Sequence, residues 1–289
     1  MRWIAWSVDV QARAIEIRSE VREDGFKRRL GFYLYCAVLT VVFSLGACAH
    51  ISREEQDRSR REFELAATLH AEGNNQAIVV ERLRGALELD PENAEAHLLL
   101  GYIHMERSDW ETAVKLLKRG LRFLIARQEG DSLVAEAKNV LGAALVHAGR
   151  SDEAIPILRQ SATDLLNTAP QHAWGNLGMA YIEQQSWDRA LEALEAAVEV
   201  QPRFCRGYFL MGQVHFARVD LEPAEEVLTQ AVEADDRCTG YQDAYKLRGE
   251  VRARLGSRTE AIGDFERCVE INADSEAGRA CRRLLEGAL

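Results

Sequence analysis

Five glycines, Gly101, Gly142, Gly178, Gly212 and Gly249, are spaced 41, 36, 34 and 37 residues apart, and twelve residues after each comes an alanine: Ala113, Ala154, Ala190, Ala224 and Ala261. A fixed offset between two small residues, kept five times, calls for a packing explanation. Ala, Leu, Glu and Arg, all strong helix formers, dominate the chain, and only five prolines interrupt its 289 residues. The pattern is explained if each copy is a pair of antiparallel helices. The glycine then marks where the first helix, A, meets the second, B, and a larger side chain there would force the axes apart. The alanine is the facing small residue on helix B, and large apolar residues around both fill the seam as ridges in grooves.

The best copy runs from Gln171 to about Phe204 and holds Trp174, Leu177, Gly178, Tyr181, Ala190, Ala197 and Pro202. These fall at positions 4, 7, 8, 11, 20, 27 and 32 of a unit that resembles the 34-residue tetratricopeptide repeat (TPR). Proline at position 32 ends helix B, because it cannot continue a helix. Six copies can be placed. The first spans about 60–93, with Phe63, Ala67, Ala86 and Pro91. The others begin near Ala94, Ala135, Gln171, Cys205 and Gln242. Lengthened B helices in repeats two and three are expected to absorb their extra residues. A last helix from about Ser275 to Glu286 reads as the solvating cap such arrays need. The predicted fold is all-α: a right-handed TPR superhelix of about six helix pairs with a C-terminal capping helix, occupying 60–289.

Ahead of the repeats, Lys27-Arg28-Arg29 precedes an uncharged apolar stretch from Leu30 to Ala47, closed by Leu45-Gly46-Ala47-Cys48. A basic region, an apolar region and small residues before a cut describe a secretory signal. Leu-Gly-Ala-Cys resembles the lipobox of bacterial lipoproteins. Small side chains there pass a narrow protease site, and the thiol accepts the diacylglycerol. On this reading 27–47 is the signal, Cys48 the lipidated residue and 48–59 a tether. A single uncleaved membrane helix is the competing interpretation, since about 18 apolar residues barely span a bilayer. Residues 1–26 are either an N-terminal extension or a mis-called start, with Val21 an alternative start codon. By resemblance to lipoproteins, Ala49, being non-acidic, favours delivery to the outer membrane.

The net charge is −10, with hydrophobic residues at 47% and charged residues at 28%, an ordinary globular composition. Residues 1–47 carry a surplus of basic groups, so the body is more acidic than the whole and would be repelled by phosphate backbones. Nucleic acid is therefore not an expected partner, and membrane association needs an anchor. No HExxH, GxSxG, CxxC or phosphate-cradling glycine loop occurs, so no catalytic residue, metal, cofactor or small-molecule substrate is expected, apart from the covalent lipid. His97 and His104 fall at positions 4 and 11 of one helix, in the packing seam.

The expected working surface is the concave groove, lined by positions 2, 5, 9 and 12 of each helix A. These positions carry Leu98, Tyr102 and Met105, then Ala143 and Val146, Met179 and Ile182, and Phe209, Gln213 and Phe216. Large apolar and Met side chains on a solvent-facing stripe mark a protein partner site. Asn139, Asn176 and Lys246 lie near positions where other TPR domains grip a C-terminal carboxylate, without forming that set. Cys36 lies in the signal stretch. Beyond Cys48 stand Cys205, Cys238, Cys268 and Cys281, an even number suited to an exported body. Cys268 and Cys281 occupy surfaces that the repeat register turns toward each other, and Cys205 and Cys238 lie at the same end of their helix pairs. Disulfides Cys205–Cys238 and Cys268–Cys281 are expected.

Residues 171–281, with the run Gln201-Pro202-Arg203-Phe204-Cys205-Arg206-Gly207-Tyr208 and the Cys268/Cys281 pair, resemble the outer-membrane TPR lipoproteins of type IV pilus assembly, the secretin pilotins. The resemblance implies a lipid on Cys48, a periplasm-facing body, and a groove that holds a secretin subunit while the secretin inserts and multimerises. A general TPR scaffold of another envelope, secretion or motility complex is the alternative.

Overall fold

The computed structural model describes residues 51–128 and 131–288. The proposed signal segment and Cys48 lie outside them. The body from Glu54 onward is one compact unit. Among the described residues there are thirteen α-helices and no strand. In chain order these are α1 (Arg53–Ala71), α2 (Gln76–Leu89), α3 (Ala94–Glu106), α4 (Trp110–Arg127), α5 (Asp131–His147), α6 (Ser151–Ala162), α7 (Pro170–Glu183), α8 (Trp187–Val200), α9 (Cys205–Arg218), α10 (Leu221–Glu233), α11 (Gln242–Leu255), α12 (Arg258–Ile271) and α13 (Glu276–Ala288). A short 3₁₀ turn, Asp236–Gly240, precedes α11. Odd-numbered helices up to α11 are the A helices of six pairs, even-numbered ones are the B helices, and α13 is the cap. None of the described helices is long and apolar enough to cross a membrane.

Each A helix packs on its own B helix through a hole and a plug. A Cβ placed on Gly101 would lie 2.8 Å from the Leu117 side chain, one on Gly178 2.6 Å from Leu194, and one on Gly212 2.5 Å from Leu228. On Gly249 it would lie 2.6 Å from Phe265, and Gly142 is closed in the same way by Leu158. The plug always stands sixteen residues after the glycine, at position 24. Leu117, Leu158, Leu194 and Leu228 are fully buried, as are the position-20 alanines Ala113, Ala154, Ala190 and Ala224. The close approach that the glycine permits is thus filled by one side chain, and the seam is dry.

The turn from A to B has its own signature. At that turn one residue per repeat has a positive φ: Gly73, Ser108, Gly149, Gln185, Val219 and Gly256; Gln128, at the end of α4, is a further one outside these turns. From Ser108 onward each stands at position 15. In repeat one Gly73 comes one residue early relative to a start at 60, and this explains a shift of face. Ala66, not the expected Ala67, is the fully buried alanine of α1, whereas Val79, Leu83 and Ala86 of α2 keep the expected register. Repeat one therefore holds an additional residue between its helices, in the stretch before Asn75, whose side chain caps α2 by accepting from the Ala77 N–H at 2.9 Å.

Three boundaries differ from expectation. Helix α1 begins at Arg53, so part of the expected tether is helical. Ser59 is buried there, donating to the Ala86 carbonyl at 2.7 Å and accepting from Asn93 at 2.8 Å. Repeat two does have a long B helix, the 18-residue α4, but part of its surplus goes to an early start of α5 at Asp131. In repeat three α6 has only 12 residues, and the surplus forms the loop 163–169, pinned where Asn167 donates to the Ser161 carbonyl at 2.8 Å. Helix length follows the supply of burying neighbours here, not the spacing of the glycines.

Candidate functional site

The A helices also pack on one another in order, α3 on α5, α5 on α7, α7 on α9 and α9 on α11, and this builds one continuous face. The expected groove residues lie on it, with one correction. Val146 is only 4% exposed and belongs to the main core, because α5 is covered there by its neighbours. Tyr102, 44% exposed, and Gln213 are open to solvent. Leu98, Met105, Ala143, Met179, Ile182, Phe209 and Phe216 are partly buried, and all of these but Ala143 pack against core side chains. The expectation of a fully exposed stripe is therefore corrected. Packing against core side chains covers most of each of these side chains, so substituting one disturbs packing as well as surface.

A polar chain crosses this face and joins positions that stand apart in the repeat pattern. Asn176 donates to the Asn139 carboxamide oxygen at 2.8 Å, linking α7 to α5. Arg206, in the first turn of α9, donates to the Asn176 oxygen at 3.1 Å and reaches the Met179 sulfur at 3.4 Å. Asn176 is buried and Arg206 partly so. Burial pulls the Arg206 pKa below its ordinary value. Burial, and secondarily the Arg206 charge, also lower the pKa of His147 and of His172. Burial pushes the nearby Tyr241 phenol up to about 12.

Beside Arg206 opens a hollow of about 560 Å³, whose walls include His172, Arg203, Phe204, Arg237 and Tyr241. His172 meets Phe204 edge to face at 5.4 Å, and Tyr241 packs on Phe209 at 4.9 Å. Asp235 stands outside the lining and takes two of the three arginines, Arg237 at 2.8 Å and Arg203 at 3.7 Å. Chiefly through its hydrogen bond from Arg237, the Asp235 pKa is held down to about 2. The Cys205–Cys238 disulfide, with Cα atoms 5.6 Å apart, fastens the 3₁₀ turn to the start of α9 at the edge of this hollow. A second disulfide, Cys268–Cys281, with Cα atoms 6.3 Å apart, fastens the cap helix to α12.

His97 is buried and stacks on Phe123 at 5.7 Å, while its Nε2 bonds the Pro91 carbonyl at 3.0 Å. His104 pairs with Asp109 at 2.9 Å. No group of metal-ligating side chains assembles among the described residues. Lys246 pairs with Glu250 at 2.7 Å, away from the Asn139–Asn176 chain. One feature the sequence reading missed is a buried ion cluster between α10, α11 and α12. Asp264 binds Arg248 at 2.7 Å and Arg252 at 2.9 Å, and Arg252 also binds Glu225 at 2.8 Å. The signal was present: Arg248 stands at position 7, where other repeats carry Leu100, Leu141, Leu177 and Met211.

Such a stack of helix pairs presenting an extended face is an architecture for binding proteins. Residues 69–124 and 176–237 match the tetratricopeptide repeat. PilF of Pseudomonas aeruginosa is similar in structure, with a TM-score of 0.60 and 18% identity over 80% of this chain and 100% of that one. PilW, described as a widely conserved type IV pilus biogenesis factor, gives a TM-score of 0.64 at 18% identity over 77% of this chain and 97% of its own. In sequence, anaphase-promoting complex subunit 3 of Schizosaccharomyces pombe is 26% identical over 63% of this chain. The chain spans only 16% to 30% of the length of the curated relatives it matches. At these identities the likeness establishes the fold, a TPR array.

Proposed function

We propose that this chain is a lipid-anchored scaffold on the periplasmic side of a bacterial outer membrane, where its A-helix face holds a secretin subunit and promotes assembly or membrane insertion of the type IV pilus secretin. The observation that supports the reading is the match of array to array, over 77% of this chain and 97% of PilW. Nearly all of PilW, a pilus biogenesis factor, is taken up by this chain's repeats, and here they stand behind the lipobox Leu45–Cys48. No catalytic step is assigned to it. A second reading, a scaffold in another envelope, secretion or motility complex, is kept because the repeats also match a subunit of an unrelated assembly.

Acyl labelling of the wild type and of Cys48→Ala tests the anchor, and the multimeric state of the secretin in the same cells tests the role. The wild type should carry lipid and fractionate with the outer membrane. Cys48→Ala should lose both, because the acyl chains contribute about 0.8 kcal/mol per buried methylene and the acidic body nothing. The secretin should then remain monomeric. An unlabelled wild type would refute the anchor. Normal secretin multimers in a deletion strain would refute the role and favour the second reading.

A further inference from the structure

We propose that Arg206 anchors an acid-binding subsite on the A-helix face, which takes an Asp or Glu side chain of an extended partner segment. This rests on reading that face as a protein-binding surface, and it adds the chemistry of what is bound. The other buried or partly buried arginines of the described residues each hold a carboxylate: Arg150 has Glu153 and Glu111, Arg248 has Asp264, and Arg252 has Glu225 and Asp264. Arg206 does not. Two of its five N–H donors serve a neutral amide and a thioether, and no ion pair to a carboxylate is formed among the described residues. A guanidinium stays charged in a protein, and a desolvated charge without a counter-ion is costly unless a ligand supplies one.

The surroundings select the ligand. The hollow beside Arg206 is lined by arginines, aromatic rings and amides, with no carboxylate in its lining. Asp235 pairs with Arg237 and, more distantly, with Arg203, so those two share one carboxylate, whereas Arg206 has none. Held in place by Asn176, the guanidinium presents a fork suited to a carboxylate. The rest of the molecule is acidic, with a net charge of −10, so a polyanion such as nucleic acid or an anionic lipid surface meets repulsion outside this point. A single carboxylate on an otherwise uncharged segment does not. Met179, which touches Arg206, and Phe209, which touches the hollow's Tyr241, supply apolar contact for that segment's neighbouring residues.

The test uses the full chain in detergent, with ¹⁵N-arginine label, titrated with a hexapeptide of glutamines carrying one central glutamate and blocked at both ends. One arginine Nε resonance, absent from Arg206→Gln, should shift saturably, and blocked hexaglutamine should leave it unmoved. Arg206→Lys keeps the charge but loses the fork, and should bind at least about tenfold more weakly, as expected when a hydrogen-bonded charge pair is truncated. Both variants should unfold at close to the wild-type temperature. The subsite is overturned if no saturable shift occurs, or if inorganic phosphate binds as well as the peptide. It is also overturned if hexaglutamine with a free C-terminus binds better than the blocked single-glutamate peptide, since the ligand would then be a chain end. A pull-down from native membranes separates this failure from failure of the broader reading. Equal capture of one partner by wild type and Arg206→Gln removes the subsite and leaves the protein-binding face standing, whereas a wild type that captures no protein removes the face.

Discussion

Replacing Gly178 with alanine isolates the feature that organises this array. In an open helix that change is stabilising, by about 1 kcal/mol, because alanine has the better propensity. Here the new Cβ would sit 2.6 Å from both Cγ and Cδ2 of Leu194. Carbon atoms in contact prefer about 3.5–4.0 Å, so the leucine or the two helices must give way by about 1 Å. Leu194 is fully buried, in an interior that is close-packed. Overpacking of this kind typically costs about 1–3 kcal/mol, and at so short a distance the upper part of that range applies. The net expectation is a loss of about 1–2 kcal/mol, or a fall of about 2–4 °C in unfolding temperature per kcal/mol. Gly263→Ala is the internal control: it lies inside α12 with nothing within 4 Å of its Cβ position, and should gain about 0.5–1 kcal/mol. Leu194→Ala alone should cost about 2–5 kcal/mol, and joining it to Gly178→Ala should cost less than the sum of the two. Thermal unfolding followed by far-ultraviolet circular dichroism measures all four proteins. If Gly178→Ala stabilises as Gly263→Ala does, the hole-and-plug account of the repeat is wrong.

Asp264→Asn leaves two arginines in a buried cluster without their shared carboxylate, and should cost about 3–5 kcal/mol. Glu62→Gln, which breaks the exposed pair with Arg82, should cost less than about 1 kcal/mol in the same urea titration, and similar losses would contradict the burial argument. Val219 holds φ 65° and ψ 23°, a conformation that β-branched residues avoid, and is largely exposed. Val219→Asn should therefore stabilise by about 0.5–1 kcal/mol, and a destabilised variant would show that the valine side chain matters more than its backbone. The pKa of His97 is lowered, chiefly by burial, so the folded state prefers the neutral ring. Its contribution is complete above about pH 6.5 and is lost as pH falls from there toward the lowered folded value. Urea midpoints should drop between pH 7.5 and 5.5, and less so in His97→Gln. An unchanged slope in that variant would assign the acid sensitivity to His147 and His172, whose pKa values are lowered in the same direction.

What could be read from the sequence is what the sequence encodes locally and repeatedly. The glycine–alanine offset reports a contact inside one helix pair, a neighbourhood of fewer than twenty residues, and so it located the pairs, the turns and the prolines that close α2 and α8. The exposure of the groove was harder to read, because it depends on how each A helix leans on the next. That contact joins residues more than thirty positions apart, and no single repeat records it. Val146 is buried for this reason although its position in the unit is the same as that of Ile182. The polar chain escaped notice for a related reason. Asn139, Asn176 and Arg206 stand at positions 5, 6 and 2 of three successive repeats, so reading one column of the repeat at a time separates them. Packing then brings them within hydrogen-bonding distance by a diagonal across the helices. In a solenoid the fold repeats along the columns, whereas this polar chain follows a diagonal. The departures from the repeat, an arginine at position 7 or a cation without an acid, are therefore better guides to what is specific in this protein than the positions that conform.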